Sequence, residues 1–216
     1  MHLIFFGDSV CAGQYVSPFK TWVTRISEKI ALLPEGENCI VMNQSVNGNT
    51  TRMALERMPF DVQSHGADII LIQFGINDCH FWETDVCLPR VSKAAFEANL
   101  QEIIARSRVF GAAKVIINTN HPTNKYIGHL KKNHNDGNLL YNESIRKIAR
   151  MDGAIELIDI EKKINALLEQ GASLADFVLN DGVHLSFKGH DFYFETVYPV
   201  IERAFKETVN SKLEER

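Results

Sequence analysis

The chain has 216 residues, 45% hydrophobic and 23% charged, enough to bury one substantial core without disulfide staples. Its net charge of −4, from 23 basic and 27 acidic side chains, argues against a surface built to coat nucleic acid. No apolar run approaches the roughly 18 residues of a membrane span, and the four cysteines show no CxxC pair or zinc-like spacing.

The opening run Met1–Phe6 lacks a basic n-region and is too short for a secretory leader. It reads as a strand over Leu3–Phe6, and free thiols fit a reducing, cytoplasmic setting. Gly7-Asp8-Ser9 follows directly and leads into a turn through Gly13. A helix is predicted over Ser17–Leu33, a strand over Cys39–Met42, and a helix over Thr50–Ser64. The run Asp68–Phe74 contains Ile69-Ile70-Leu71-Ile72, apolar on both faces as a central parallel strand would be.

In Ser92–Phe110, Ala95, Phe96, Leu100, Ile103 and Ile104 recur at helical spacing, leaving Lys93, Glu97, Gln101, Glu102 and Arg106 for water. A strand over Lys114–Asn118 precedes the long irregular stretch Asn118–Gly137. A helix over Asn138–Met151, a strand over Ile155–Ile158 and helices over Ile160–Glu169 and Ser186–Val209 complete the pattern. Residues 1–210 read as a single domain and 211–216 as a charged tail prone to fray. Alternating strands and helices predict an α/β sandwich, in which ligands bind beyond the carboxyl ends of the strands.

Four polar segments fall at that edge. Ser9 is a candidate nucleophile, and such a hydroxyl needs a base and a group that orients the base. His184 and Asp181, in Asp181-Gly182-Val183-His184, supply both types, whatever their order in the chain. The Ser9 N–H, the Gly48 N–H of Asn43–Thr51, and the Asn77 side chain of Gly75-Ile76-Asn77-Asp78 are candidate oxyanion donors. Each segment alone is also an ordinary cap or turn. Asp8 is a cap, a loop orienter or a substrate contact.

With these four blocks the chain resembles the SGNH hydrolases, the GDSL-type esterase/lipase superfamily. Gly7-Asp8-Ser9 matches the serine block, Gly48 the glycine, Gly75-Ile76-Asn77-Asp78 the GxND block and Asp181 to His184 the DxxH block. The resemblance runs from residue 3 to about residue 205. It implies a flavodoxin-like three-layer α/β/α sandwich on five central parallel strands. It also implies cleavage of esters or thioesters through an acyl-serine, with no metal or other cofactor. Val10-Cys11 departs from the commoner leucine or isoleucine and hydroxyl residue after the serine, which changes the pocket wall and not the nucleophile.

His80 and His121 are candidate substrate contacts, and Trp82, beside Phe81, is a candidate wall for an acyl or sugar subsite. His190 and Asp191 read as structural, and no recognised ligand spacing links them with His184 into a metal site. Cys11 and Cys79 read as inert core thiols. Lys125, His129, Lys131, Lys132 and His134 form a basic loop, either merely solvated or attractive to an anionic substrate. The expected substrate is a small ester, acetyl by preference and carried on a glycan or another small molecule. Lysophospholipid or thioester cleavage and acyl transfer are the alternatives within this fold. From another class, a nucleotide-binding protein lacks its P-loop or GxGxxG here, and a non-catalytic carbohydrate-binding module would not need all four blocks. Nothing in the sequence sets the oligomeric state.

Overall fold

A computed structural model describes residues 1–214. Five strands form one parallel sheet: β1 (His2–Gly7), β2 (Ile40–Asn43), β3 (Ile69–Gln73), β4 (Lys114–Asn118) and β7 (Ile155–Ile158), in the order β2-β1-β3-β4-β7. A small antiparallel pair, β5 (Tyr126–Ile127) with β6 (Lys132–Asn133), stands apart. The helices are α1 (Ser9–Ala12), α2 (Trp22–Ala31), α3 (Thr51–Met58), α4 (Lys93–Val109), α5 (His134–Met151), α6 (Ile160–Glu169), α7 (Leu174–Phe177) and α8 (Phe187–Glu214).

Alternation along each strand sorts its side chains between two cores. Leu3, Phe5, Ile69, Leu71 and Ile116 pack against α2, α6 and α8, around Trp22, Tyr193 and Phe205. Ile4, Phe6, Ile70, Ile72, Val115 and Ile117 pack against α3, α4 and α5, around Met58, Phe96 and Ile145. The central strand β3 is buried along its whole length, so both of its faces must be apolar. The three-layer parallel sandwich expected from the sequence is therefore the fold.

Local chemistry explains where helix ends differ from expectation. Thr21 caps α2 by accepting from the Thr24 N–H, so the helix starts at Trp22, after a single 3₁₀ turn at Pro18–Lys20. Pro59 has no N–H to offer, and α3 gives way there to a π turn over Pro59–Gln63. The stretch Asn118–Gly137 is less irregular than expected: it holds the β5–β6 hairpin, and α5 begins at His134. Asn133 caps α5, and Gly137 lies inside the helix, where a Cβ would meet Cys79 at ordinary van der Waals distance. The expected frayed tail is helical from 211 to 214, and residues 215–216 lie outside the described residues. No helix among the described residues is long and apolar enough to cross a membrane.

Candidate active site

β1 delivers the serine. A Cβ on Gly7 would meet Cys11 Sγ at 2.8 Å and the Gln73 carbonyl oxygen at 2.9 Å, so only glycine lets the chain leave the sheet this closely. Asp8 then caps α1, its Oδ1 accepting from the Val10 N–H at 2.9 Å, and Ser9 opens the helix. Two buried contacts hold this corner from below. The Trp22 indole N–H donates to the Val10 carbonyl (2.9 Å), and the Trp22 backbone N–H donates to His190 Nδ1 (3.2 Å). His190 is thus structural, as expected.

The turn before α8 delivers the other two groups. Asp181 Oδ1 accepts from the backbone N–H of Val183 (2.9 Å) and of His184 (3.0 Å), which folds the segment back on itself. Its Oδ2 lies 2.5 Å from His184 Nδ1, and His184 Nε2 lies 3.0 Å from Ser9 Oγ. A carboxylate on one side fixes the proton on Nδ1 and leaves the Nε2 lone pair to accept from the serine hydroxyl. Burial pushes the Asp181 pKa up, but hydrogen bonds from the His184 ring and from two backbone N–H groups outweigh it. The net shift is downward, so Asp181 is ionised near neutrality.

Gly182 is the hinge of this turn. Its φ is +72°, and a Cβ would lie 2.6 Å from the Asn124 backbone, whose N–H donates to the Gly182 carbonyl at 2.7 Å. The turn is also held from within. His121 Nε2–H donates to the Val183 carbonyl (2.7 Å), while His121 Nδ1 accepts from the Tyr193 hydroxyl (2.9 Å). Burial lowers the His121 pKa to about 4, so the ring stays neutral.

Asn77 reaches the same cleft and donates to Asp8 Oδ2 at 3.4 Å. Its neighbour Asp78 points inward, accepting from the N–H (2.9 Å) and hydroxyl (2.5 Å) of Thr51 at the start of α3. Gly48 takes φ +76° with open space where a Cβ would stand, and its carbonyl accepts from Arg90 Nη1 at 2.9 Å. The irregular segment around it has few ladder bonds of its own. Arg57 ties it to β1 by bonding Asn49 Oδ1 (2.6 Å), the Gln44 carbonyl (2.8 Å) and the Gly7 carbonyl (3.1 Å).

Ser9, Asn77, His80, Asp181 and His184 therefore line one small cleft of ≈ 90 Å³, together with Ile76, Val183, His134 and Lys125. Three expected substrate contacts are elsewhere. Asp8 is fully buried as a helix cap, and His121 is fully buried with both ring nitrogens engaged, so neither can touch a ligand. Trp82 is half exposed, with the Arg90 guanidinium 4.3 Å from its ring centre, and lies outside the cleft wall. His80 does line the cleft, its pKa lowered to about 4 by burial and by nearby Lys125.

Cys11 and Cys79 sit buried beside neighbouring strands, and burial raises both thiol pKa values, so neither is a ready nucleophile. Among the described residues, no three of His, Cys, Asp and Glu converge as a metal site. Sequence reasoning missed Arg57, Arg90 and Tyr15. The Tyr15 ring meets the His184 ring edge-on at 5.0 Å, a contact no local motif announces.

Residues 5–192 match the GDSL-like lipase/acylhydrolase family. An arylesterase of Vibrio mimicus is 37% identical over 76 residues, 35% of this chain and 37% of that enzyme. Esterase TesA of Pseudomonas aeruginosa is 22% identical over 203 residues, 93% of this chain and 87% of that enzyme. Among solved structures, an acetyl xylan esterase, AlAXEase, superposes with a TM-score of 0.75 at 24% identity, covering 93% of this chain and all of the other. That last likeness speaks to the fold, whereas the match across residues 5–192 spans most of the domain. On that match the chain belongs to the GDSL-like lipase/acylhydrolase family and is a carboxylic ester hydrolase of that type.

Proposed function

We propose that Ser9, His184 and Asp181 are the catalytic triad of a small-acyl esterase. The observation that carries this reading is the unbroken chain of contacts from Ser9 Oγ to His184 Nε2 and from Nδ1 to Asp181. Ser9 Oγ attacks the ester carbonyl carbon as His184 Nε2 takes its proton. The carbon–oxygen bond to the alcohol then breaks, and the imidazolium returns that proton to the leaving oxygen. Water attacks the acyl-serine by the same route, freeing the acid and restoring Ser9. The Ser9 and Gly48 N–H groups and the Asn77 amide stabilise the oxyanion.

The small cleft favours an acetyl group over a long chain, since sites for drug-sized ligands run to several hundred Å³. We assign the alcohol to a carbohydrate or other small molecule. Four free cysteines, two of them buried, support a reducing, cytoplasmic setting. The test uses p-nitrophenyl acetate, butyrate and octanoate, with a fluorophosphonate as covalent probe. Acetate should be turned over fastest, octanoate at least tenfold more slowly, and the probe should label the peptide holding Ser9. Label on any other residue would overturn the mechanism, and a preference for octanoate would overturn the acyl assignment.

Arg90 adds a prediction on the oxyanion side. Its bond to the Gly48 carbonyl holds the Gly48–Asn49 peptide, next to the peptide that carries the Gly48 N–H. Arg90→Met should lower kcat about tenfold with KM little changed, a fraction of the ~10²–10³ lost with a whole oxyanion donor. Arg90→Lys should restore part of it. A rise in KM at unchanged kcat would assign Arg90 to binding instead.

A further inference from the structure

The basic loop after β4 divides once its residues are placed. His134 lies beneath the cleft, donating from Nε2 to the Ile76 carbonyl (3.0 Å) and accepting at Nδ1 from the Thr123 hydroxyl (2.9 Å). His129, Lys131 and Lys132 are exposed around the β5–β6 hairpin and do not line the cleft. Lys125 alone of the loop's lysines stands in the cleft wall with Ser9, Asn77 and His184.

Its backbone is anchored on both sides. The Lys125 carbonyl accepts from the His134 N–H (2.8 Å), and Asn124 donates to Gly182 in the turn that carries Asp181 and His184. The Lys125 nitrogen lies 2.9 Å from where a Gly182 Cβ would be, so loop and turn are in backbone contact. Lys125 enters no ion pair among the described residues, unlike Lys93, Lys114, Lys147 and Lys188. The one carboxylate in the cleft, Asp181, is committed to His184 at 2.5 Å. His80 beside Lys125 is neutral near pH 7, and Arg90 is engaged with Gly48.

An ammonium without a counter-ion in a catalytic cleft is matched by a substrate that brings one. It offers a single charge, which one carboxylate balances. His184 hands its proton to the leaving oxygen, so the alcohol faces the turn against which the Lys125 loop is packed. Resting on the proposed triad, we infer that Lys125 is a specificity-determining residue that selects esters whose alcohol carries a carboxylate, as on an acidic sugar.

The test compares phenyl acetate with 4-carboxyphenyl acetate in wild type, Lys125→Met and Lys125→Arg, read as the ratio of kcat/KM for charged over neutral ester. The ratio should fall about tenfold in Lys125→Met and recover in Lys125→Arg. In wild type it should shrink between 0.02 and 0.5 M salt, because a half-buried charge is still partly screened. An identical ratio in all three proteins would overturn the assignment. So would an equal loss on p-nitrophenyl hemisuccinate, which carries its charge on the acyl side. Ser9→Ala runs in the same panel: if it stays active the triad itself has failed, whereas an inert Ser9→Ala with a flat ratio removes only the role of Lys125.

Discussion

Ser9→Ala lowers kcat on an aryl acetate by roughly 10³–10⁶-fold while leaving the melting temperature within a few degrees of wild type. The two halves of this result have separate causes. The hydroxyl is the only atom lost, and it is the one 3.0 Å from His184 Nε2. The corner that positions it survives, because its bonds do not use the Ser9 hydroxyl: the Val10 N–H donates to Asp8 Oδ1, and the Gly13 and Gln14 N–H groups donate to the Ser9 backbone carbonyl. Alanine also has high helix propensity and does not disfavour the start of α1. Residual turnover comes from the oxyanion donors and binding alone. His184→Ala should cost about as much, and the double variant little more than either, because nucleophile and base act as one unit. The measurement is steady-state kinetics beside a thermal melt. More than about 1% of wild-type kcat in Ser9→Ala, with an unchanged melt, would show that another group does the chemistry.

The fold was legible in the sequence because its strongest signals are local. Ile69-Ile70-Leu71-Ile72 can only be satisfied with helices on both faces, and that is where β3 sits. Strands at 114–118 and 155–158 fall where apolar runs meet turn residues. The Asp181–His184 turn proposed to carry the base was legible as well, since it forms from bonds within four residues. What could not be read depends on partners far along the chain. His121 looks like a ligand contact until Tyr193 and Val183 occupy both its nitrogens. Arg90 reaches Gly48 across 42 residues, and Gly137, unfavourable in a helix by propensity, nonetheless sits inside α5, held there by its neighbours rather than by its own preference. Lys125 shared its charge with four neighbours in the sequence and differs from them only in where the backbone holds it.

Asp8→Asn stabilises the protein at pH 8 by about 2–4 kcal/mol and does almost nothing at pH 4. Asp8 is fully buried, and burial, helped by the nearby Asp78 charge and opposed by the Val10 N–H, raises its pKa from 3.8 to about 7. Between those values the folded chain holds a proton that the unfolded chain has released. Stability therefore falls by about 1.4 kcal/mol per pH unit, fully present below the unfolded value and lost as pH rises through the folded one. Asp78, raised to about 6 mainly by burial, adds a slope of the same sign. Asparagine keeps an oxygen for the Val10 N–H and carries no charge to desolvate, so its urea-derived stability curve should be flatter than wild type from pH 4 to 8. Parallel curves would mean that Asp8 does not change protonation on unfolding in this range. The same substitution should lower kcat several-fold. The Asp8 carboxylate accepts from the Asn77 amide at 3.4 Å, and an amide at position 8 can present an N–H where that acceptor stood. On the proposed site, ionising the buried Asp8 beside Ser9 costs stability and, in return, holds the Asn77 amide where an oxyanion donor is needed, a compromise common where a site is preorganised.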